Sequence, residues 1–216
     1  MNLENINIYR ITHIENIPHI LQYGITHRNS ANSNPDFKAI GDSSLINTRN
    51  EKSVNITNGE NNIIKTITLG DYTPFYFGVK MPMLYVIQHG GNFVPEATNA
   101  EDIVYIACSV AKIINFGYEF YFSDGHATDM LTTFYNRDKI NELNTIIDWK
   151  AIKSPYWGGE NNLDIKRKKQ AEFLIKEDVS PDTITGYACY NDKAYKKLIS
   201  FGIEKGTIKI KPNIYY

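Results

Sequence analysis

The chain reads as a mixed α+β protein, rich in strands with short helices between them, and three observations lead there. Ile6-Asn7-Ile8-Tyr9-Arg10-Ile11-Thr12-His13 alternates apolar and polar side chains, the period of a half-buried strand. Residues 103–110 form an unbroken apolar run of the length and composition of a central strand. Residues 191–201 have helical periodicity and stop at Gly202, a residue free to adopt the left-handed turn that closes a helix.

The remaining elements follow in order. Ile17, Ile20 and Leu21 put one apolar face on a short helix that Pro18 opens and Gly24 ends. Residues 26–62 are rich in Asn, Ser, Asp and Gly, and predict a long loop with one helical turn around residues 44–49. Asp71-Tyr72-Thr73-Pro74-Phe75-Tyr76-Phe77-Gly78 predicts an aromatic strand, and Met81-Pro82-Met83-Leu84-Tyr85 the start of a helix. Residues 118–122 predict a strand, 129–135 a helix or loop, and 141–149 a short helix. Phe173-Leu174-Ile175 and residues 184–190 predict strands, and residues 207–215 a closing strand. No repeat or linker breaks the 216 residues, so one domain is expected.

Composition narrows the function. A formal net charge of −1 gives no global attraction to a polyanion, so a nucleic-acid site must be a local patch. No uncharged apolar run approaches 18 residues, which argues against a membrane span. Residues 1–5 lack a basic stretch leading into an apolar one, so no secretory signal is visible. Cys108 and Cys189 are far apart in apolar runs and read as buried thiols of a reducing, cytoplasmic setting. The five histidines show no metal-ligand spacing, and no metal is expected. The 15 tyrosines and 10 phenylalanines include candidates for stacking on a base or a nicotinamide ring.

Three constellations carry chemistry. Tyr9-Arg10-Ile11-Thr12-His13 sets polar side chains along the first strand. Gly41-Asp42-Ser43-Ser44-Leu45-Ile46-Asn47-Thr48-Arg49 ends a polar stretch in a guanidinium. Lys166-Arg167-Lys168-Lys169-Gln170-Ala171-Glu172 runs four cations into a lone carboxylate at the mouth of a strand, downstream of the aromatic and glycine-rich Pro155-Tyr156-Trp157-Gly158-Gly159. Each segment alone is an ordinary edge strand, solvated loop or surface helix end.

Taken in order, YRITH, IGDSSLINTR, DYTPFYF with PMLY, FSDGHA, IDWKAI with PYW, KRKKQAEFL and a closing Tyr-Tyr resemble the DarT family over essentially the whole chain. DarT proteins are the DNA ADP-ribosyltransferase toxins of DarTG toxin–antitoxin systems. The resemblance implies the PARP-like ADP-ribosyltransferase fold, a split and mostly antiparallel β core with helices around it. It implies transfer of ADP-ribose from NAD+ to a base of single-stranded DNA in a short sequence context, with thymine favoured over guanine, and a DarG-like antitoxin as partner. Carried onto this sequence, it makes Glu172 the catalytic carboxylate and Arg49 an NAD+-binding and catalytic guanidinium. Arg10, Ile11, Thr12 and His13 become the segment at the nicotinamide end, and His126 a further active-site residue. The implied DNA-binding residues are Lys80, Met81, Pro82, Met83, Leu84 and Tyr85; Pro155, Tyr156, Trp157 and Gly158; and Lys166, Arg167, Lys168, Lys169 and Gln170.

The chemistry is consistent with that assignment. Cleavage at the nicotinamide–ribose bond develops oxocarbenium character, which a nearby carboxylate stabilises. A planar, permanently charged guanidinium suits a pyrophosphate. The competing readings are an ADP-ribosyltransferase acting on protein or RNA, and a non-catalytic nucleic-acid-binding module.

Overall fold

The computed structural model describes residues 3–91, 94 and 96–216; Met1 and Asn2 of the N-terminal stretch lie outside it. Its strands are β1 (Asn7–His13), β2 (Ser53–Ile56), β3 (Lys65–Thr68), β4 (Thr73–Tyr76), β5 (Ile103–Ser109), β6 (Phe120–Ser123), β7 (Phe134–Tyr135), β8 (Glu172–Ile175), β9 (Ile184–Cys189) and β10 (Ile208–Ile210). The helices are α1 (Ile17–Tyr23), α2 (Ser43–Glu51), α3 (Pro82–His89), α4 (Val110–Asn115), α5 (Leu143–Ile146), α6 (Trp149–Lys153), α7 (Leu163–Lys169) and α8 (Asp192–Ser200). The ten strands form one sheet in the order β10-β9-β5-β1-β4-β8-β6-β7-β2-β3. Pairing is antiparallel except for β9 with β10 and β2 with β7.

The sheet has a seam. Every residue of β1 pairs with β5, whereas β1 meets β4 at the single pair Tyr9–Tyr76. On its other edge β4 pairs with β8 over its full length, with Tyr76 opposite Glu172. One rung therefore runs Tyr9–Tyr76–Glu172 across the place where the two halves join. The main core packs Ile8, Ile106, Phe75, Phe122 and Phe173 with the inner faces of the surrounding helices. Tyr105 and Tyr215 belong to a smaller cluster beneath α3, where the Tyr215 hydroxyl donates to the Ile103 and Ala188 carbonyls.

Several boundaries differ from the sequence reading for local physical reasons. The long polar segment holds α2, β2 and β3. Asp42 starts α2 by accepting from the Ser44 and Leu45 amides, so the stretch read as one turn is a capped helix. Residues 129–135 are a tight turn and then β7, because Phe134 and Tyr135 find β6 as a partner. The closing strand is only three residues long; Pro212 has no amide hydrogen to extend it, and a 3-10 turn follows. Asn191 caps α8 by accepting from Ala194, and both Gly24 and Gly202 hold positive φ where helices end.

Gly70 decides where α2 sits. A Cβ there would lie 2.5 Å from the Asn50 carbonyl oxygen, so only glycine lets the turn after β3 press against the end of the helix. The Leu69 amide donates to the Lys52 carbonyl in the same junction. Gly70→Ala is expected to push α2 outward, costing roughly 1–3 kcal/mol, a typical cost of an overpacked buried site. Urea denaturation monitored by tryptophan fluorescence checks this, with unchanged stability the contrary result.

Candidate active site

Glu172 opens β8 and is wholly shielded from solvent. Its carboxylate meets Arg49, which α2 carries in its last turn: Arg49 Nη1 lies 3.1 Å from Oε1, in hydrogen-bond geometry, and 2.8 Å from Oε2. The Ala127 amide donates to Oε1 at 2.9 Å, and the Glu172 amide donates to the Ser123 hydroxyl, which itself donates to the Gly125 carbonyl. A charged contact thus joins residues 123 positions apart in sequence, and a backbone donor and a hydroxyl relay hold the Glu172 side of it. Two buried atoms of the pair, Arg49 Nη2 and Glu172 Oε2, make no directional hydrogen bond; Oε2 touches Nη1 only as an ion-pair contact. Such orphaned groups are costly unless a substrate completes them.

Arg49 and His126 line a cleft of about 420 Å³ along the seam. Its walls include Arg10, Ile11 and Thr12 from β1, the aromatic rings of Tyr72 and Tyr76, and residues from the loop between α1 and α2. Arg10 is anchored through Nη1 to the Pro74 carbonyl at 2.8 Å. Burial lowers its pKa to about 10, partly offset by Tyr76, so it stays cationic at neutral pH. Burial, and then the Glu172 charge, raise the Tyr76 phenol and keep it neutral. Burial also holds the His126 imidazole below its ordinary pKa, against the opposing pull of Glu172. Its Nδ1 lies 2.8 Å from the Thr128 hydroxyl. A cleft of this size, part apolar and part cationic, fits a dinucleotide, and the unpaired Nη2 of Arg49 supplies a donor for it.

The expected residues fall into groups. Arg49, Glu172 and His126 converge, as do Arg10, Ile11 and Thr12 on the neighbouring wall. His13 is elsewhere: its Nδ1 accepts from the Glu15 amide and starts a 3-10 turn, and it does not border the cleft. Among the residues expected to meet DNA, Met81, Pro82 and Leu84 are core side chains at the start of α3, and Met83 borders the cleft instead. Arg167 and Lys169, 9% and 2% exposed, are also corrected. Arg167 forms ion pairs with Asp124 and Asp164, and Lys169 donates to the Ile152 and Ser154 carbonyls. Successive helical residues are about 100° apart, so four consecutive cations point around the whole helix and cannot all face one ligand; here Arg167 and Lys169 turn inward. Gln170 is buried too and bonds the Lys166 carbonyl.

An exposed aromatic and cationic surface remains beside the seam. Tyr85 stacks on His89 at 4.1 Å and meets Trp157 and Tyr216 edge-on. Trp157 Nε1 donates to the Tyr216 hydroxyl, which donates to the Lys80 carbonyl. Lys166 lies over the Trp157 ring, Lys80 over that of Tyr216, and Tyr156 is exposed. Sequence reasoning missed His27, which borders the cleft, bonds the Gly70 carbonyl through Nε2 and has its amide held by Asp178. A lone histidine in a polar loop carries no signal of such a role. Among the described residues no group of His, Cys, Asp and Glu could hold a metal ion, and no helix is long and apolar enough to cross a membrane.

Comparison with known proteins matches residues 9–216 to the family described as ssDNA thymidine ADP-ribosyltransferase, DarT. The chain belongs to the DarT family of single-stranded-DNA ADP-ribosyltransferases. It is similar to the DNA ADP-ribosyl transferase of Thermus sp. (strain 2.9), 30% identical over 89% of this chain and 85% of the relative. The DNA ADP-ribosyl transferase of Escherichia coli O127:H6 (strain E2348/69 / EPEC) is 30% identical over 92% and 86%. The fold superposes on Thermus sp. 2.9 DarT in complex with ADP-ribosylated ssDNA with TM-score 0.82, 27% identity and coverage of 99% and 97%. The same DarT in complex with NAD+ gives TM-score 0.77, 26% identity and coverage of 99% and 98%. The expected α+β ADP-ribosyltransferase fold is thereby borne out.

Two expectations follow from the DarT site. The buried pair makes Glu172→Ala damaging to stability, because Arg49 and the Ala127 amide both lose their partner. Truncating one member of a buried pair costs about 3–5 kcal/mol, so Glu172→Ala should unfold at much lower urea than Glu172→Gln; equal midpoints would contradict the burial argument. The neutral form of His126 is favoured in the fold, so its contribution to stability is complete above the unfolded value of about 6.5 and is lost as pH falls. His126→Gln should therefore lose less Tm than the parent between about pH 7 and pH 5, as read by calorimetry.

Proposed function

We propose that this chain transfers ADP-ribose from NAD+ to thymine in single-stranded DNA, within a short sequence context, as the toxin of a pair whose antitoxin removes the mark. The observation that carries it is the Arg49–Glu172 pair, buried at the sheet seam, whose Arg49 borders a cationic, aromatic cleft. Membership of the DarT family supports the substrate, and the family description supports the base. A Thermosipho africanus relative, 27% identical over 82% of this chain and 41% of its own length, is a DNA ADP-ribosyl transferase-DNA ADP-ribosyl glycohydrolase fusion protein. That linkage supports a glycohydrolase as the partner. The surface of exposed Tyr85 and Tyr156 with half-buried Trp157 supports unpaired rather than duplex DNA, because stacking needs a free base face.

In this reading Arg10 and Arg49 hold the anionic part of NAD+ with the nicotinamide against Tyr72 or Tyr76. The bond from ribose C1′ to nicotinamide breaks and its electron pair leaves with neutral nicotinamide. The cationic ribose is stabilised by the Glu172 carboxylate as Arg49 turns towards the substrate. Thymine N3 then bonds C1′ while its proton passes to Glu172. A ring nitrogen of this kind is a weak nucleophile, so positioning supplies much of the acceleration.

Incubating the protein with NAD+ and an oligonucleotide containing all four bases, followed by mass spectrometry, tests the proposal. One ADP-ribose on thymine is expected; a mark on guanine would overturn the base, and a mark confined to RNA or protein the substrate class. Glu172→Gln should lower kcat by at least the ~10²–10⁴ that general acid–base catalysis contributes. Lys166→Glu should flatten the salt dependence of DNA affinity by about 0.7 in log–log slope, the share of one phosphate contact on a single strand. An unchanged slope would remove Lys166 from the DNA path.

A further inference from the structure

We infer that the Met130–Leu131 tip of the loop between β6 and β7 is a wedge that inserts into the base stack of the single strand next to the modified nucleotide. This rests on the reading that single-stranded DNA is the substrate. Met130 and Leu131 are 94% and 78% exposed, and neither residue borders the dinucleotide cleft. Large apolar side chains held this far into solvent are ordinarily found at binding surfaces.

The loop is rigid where a surface loop needs no rigidity. Asp124 and Thr133 bond each other twice, the Leu131 amide donates to the Asp129 carboxylate, and the Thr132 hydroxyl donates to the His126 carbonyl. Lys52 donates to the Thr128 carbonyl from the end of α2. The tip is therefore presented, at little entropic cost on binding.

Its position identifies the occupant. The same loop gives Glu172 its backbone donor through Ala127, and three residues of extended chain reach at most about 10 Å. That is about three stacked nucleotides at ~3.4 Å each. On its other side the loop packs on α7: the His126 amide donates to the Arg167 carbonyl, and a Cβ at Gly125 would lie 2.5 Å from Arg167 Nη1. That helix exposes Lys166 and, in part, Lys168. The tip follows directly on the segment that touches both Glu172 and α7. The Lys166 ammonium lies over the Trp157 ring, while Lys168 is paired with Asp164 and Asp148. An apolar tip on the same loop as these contacts matches a polyanion bearing apolar base faces. Apolar wedges between bases unstack them and splay the neighbouring nucleotide outward.

The test uses the full chain, without NAD+, and oligonucleotides carrying 2-aminopurine at successive positions around one thymine. Unstacking should raise fluorescence at one or two positions beside the thymine, and the double substitution Met130→Ser with Leu131→Ser should abolish the rise. In turnover with NAD+ the double variant should raise KM for DNA roughly tenfold, the effect of 1.4 kcal/mol of lost contact, with KM for NAD+ changed less than twofold. Equal fluorescence and equal KM for DNA in parent and variant would overturn the wedge while leaving the transferase reading intact, and would assign the tip to a protein partner or to none. A parent that modifies no single-stranded DNA at all would overturn the substrate reading instead. Retained KM for NAD+ and retained Tm guard against misfolding, and single Met130→Leu, which keeps the apolar volume, should restore the DNA KM.

Discussion

A guanidinium and a carboxylate taken out of water together set the terms for the rest of this protein. Stripping two charges of solvent costs several kcal/mol per ion unless geometry and further hydrogen bonds compensate. The fold supplies both: the Ala127 amide and the Ser123 hydroxyl on the acid's side, and a capped helix closed tightly on Gly70 on the base's side. Neither charge is fully satisfied by the protein, since Arg49 Nη2 and Glu172 Oε2 lack directional partners. A pair held firm yet short of complete is suited to exchange contacts with a substrate.

The sheet seam explains why the pair stands beside a cleft. Where β1 and β4 share a single pair, the two halves of the sheet need not lie flat; Tyr9, Tyr76 and Glu172 form one rung across that join, and Arg10 follows Tyr9 on β1. In the proposed function the two substrates approach from separate directions: the dinucleotide along β1 and the loop before α2, and DNA over α7 and the α3 rim. The cations divide the same way. Arg167 is an internal strut to Asp124, and Lys169 one to the Ile152 and Ser154 carbonyls ahead of the Pro155–Gly158 loop, while Lys166 stays exposed.

Much of this was legible beforehand. The alternation at residues 6–13, the apolar run at 103–110 and the glycine stops at 24 and 202 each report a local rule, and each element stands where it was read. Arg49 and Glu172 were identified through their ordered motifs, and their meeting is a tertiary fact no local pattern contains. The strands β2, β3 and β7 were missed because polar residues and short length hide a pairing that exists only when the partner strand arrives. The four-cation run misled for a related reason: charge in a sequence shows no direction, and a helix spreads four consecutive residues around its circumference, which turns Arg167 and Lys169 inward here.

The amino-acid sequence by itself determined the period of each main element, the residue types available for chemistry and the family to which their order belongs. Tertiary structure decided which of those residues are free to act. His13 became the cap of a 3-10 turn, Met81 and Leu84 became core, Lys169 became a brace, His27 came to the cleft's edge, and the Met130–Leu131 tip was left exposed. The physical reason is that periodicity and capping are set by neighbours a few residues away, whereas burial and exposure depend on segments brought together by the fold, as far apart as Arg49 and Glu172.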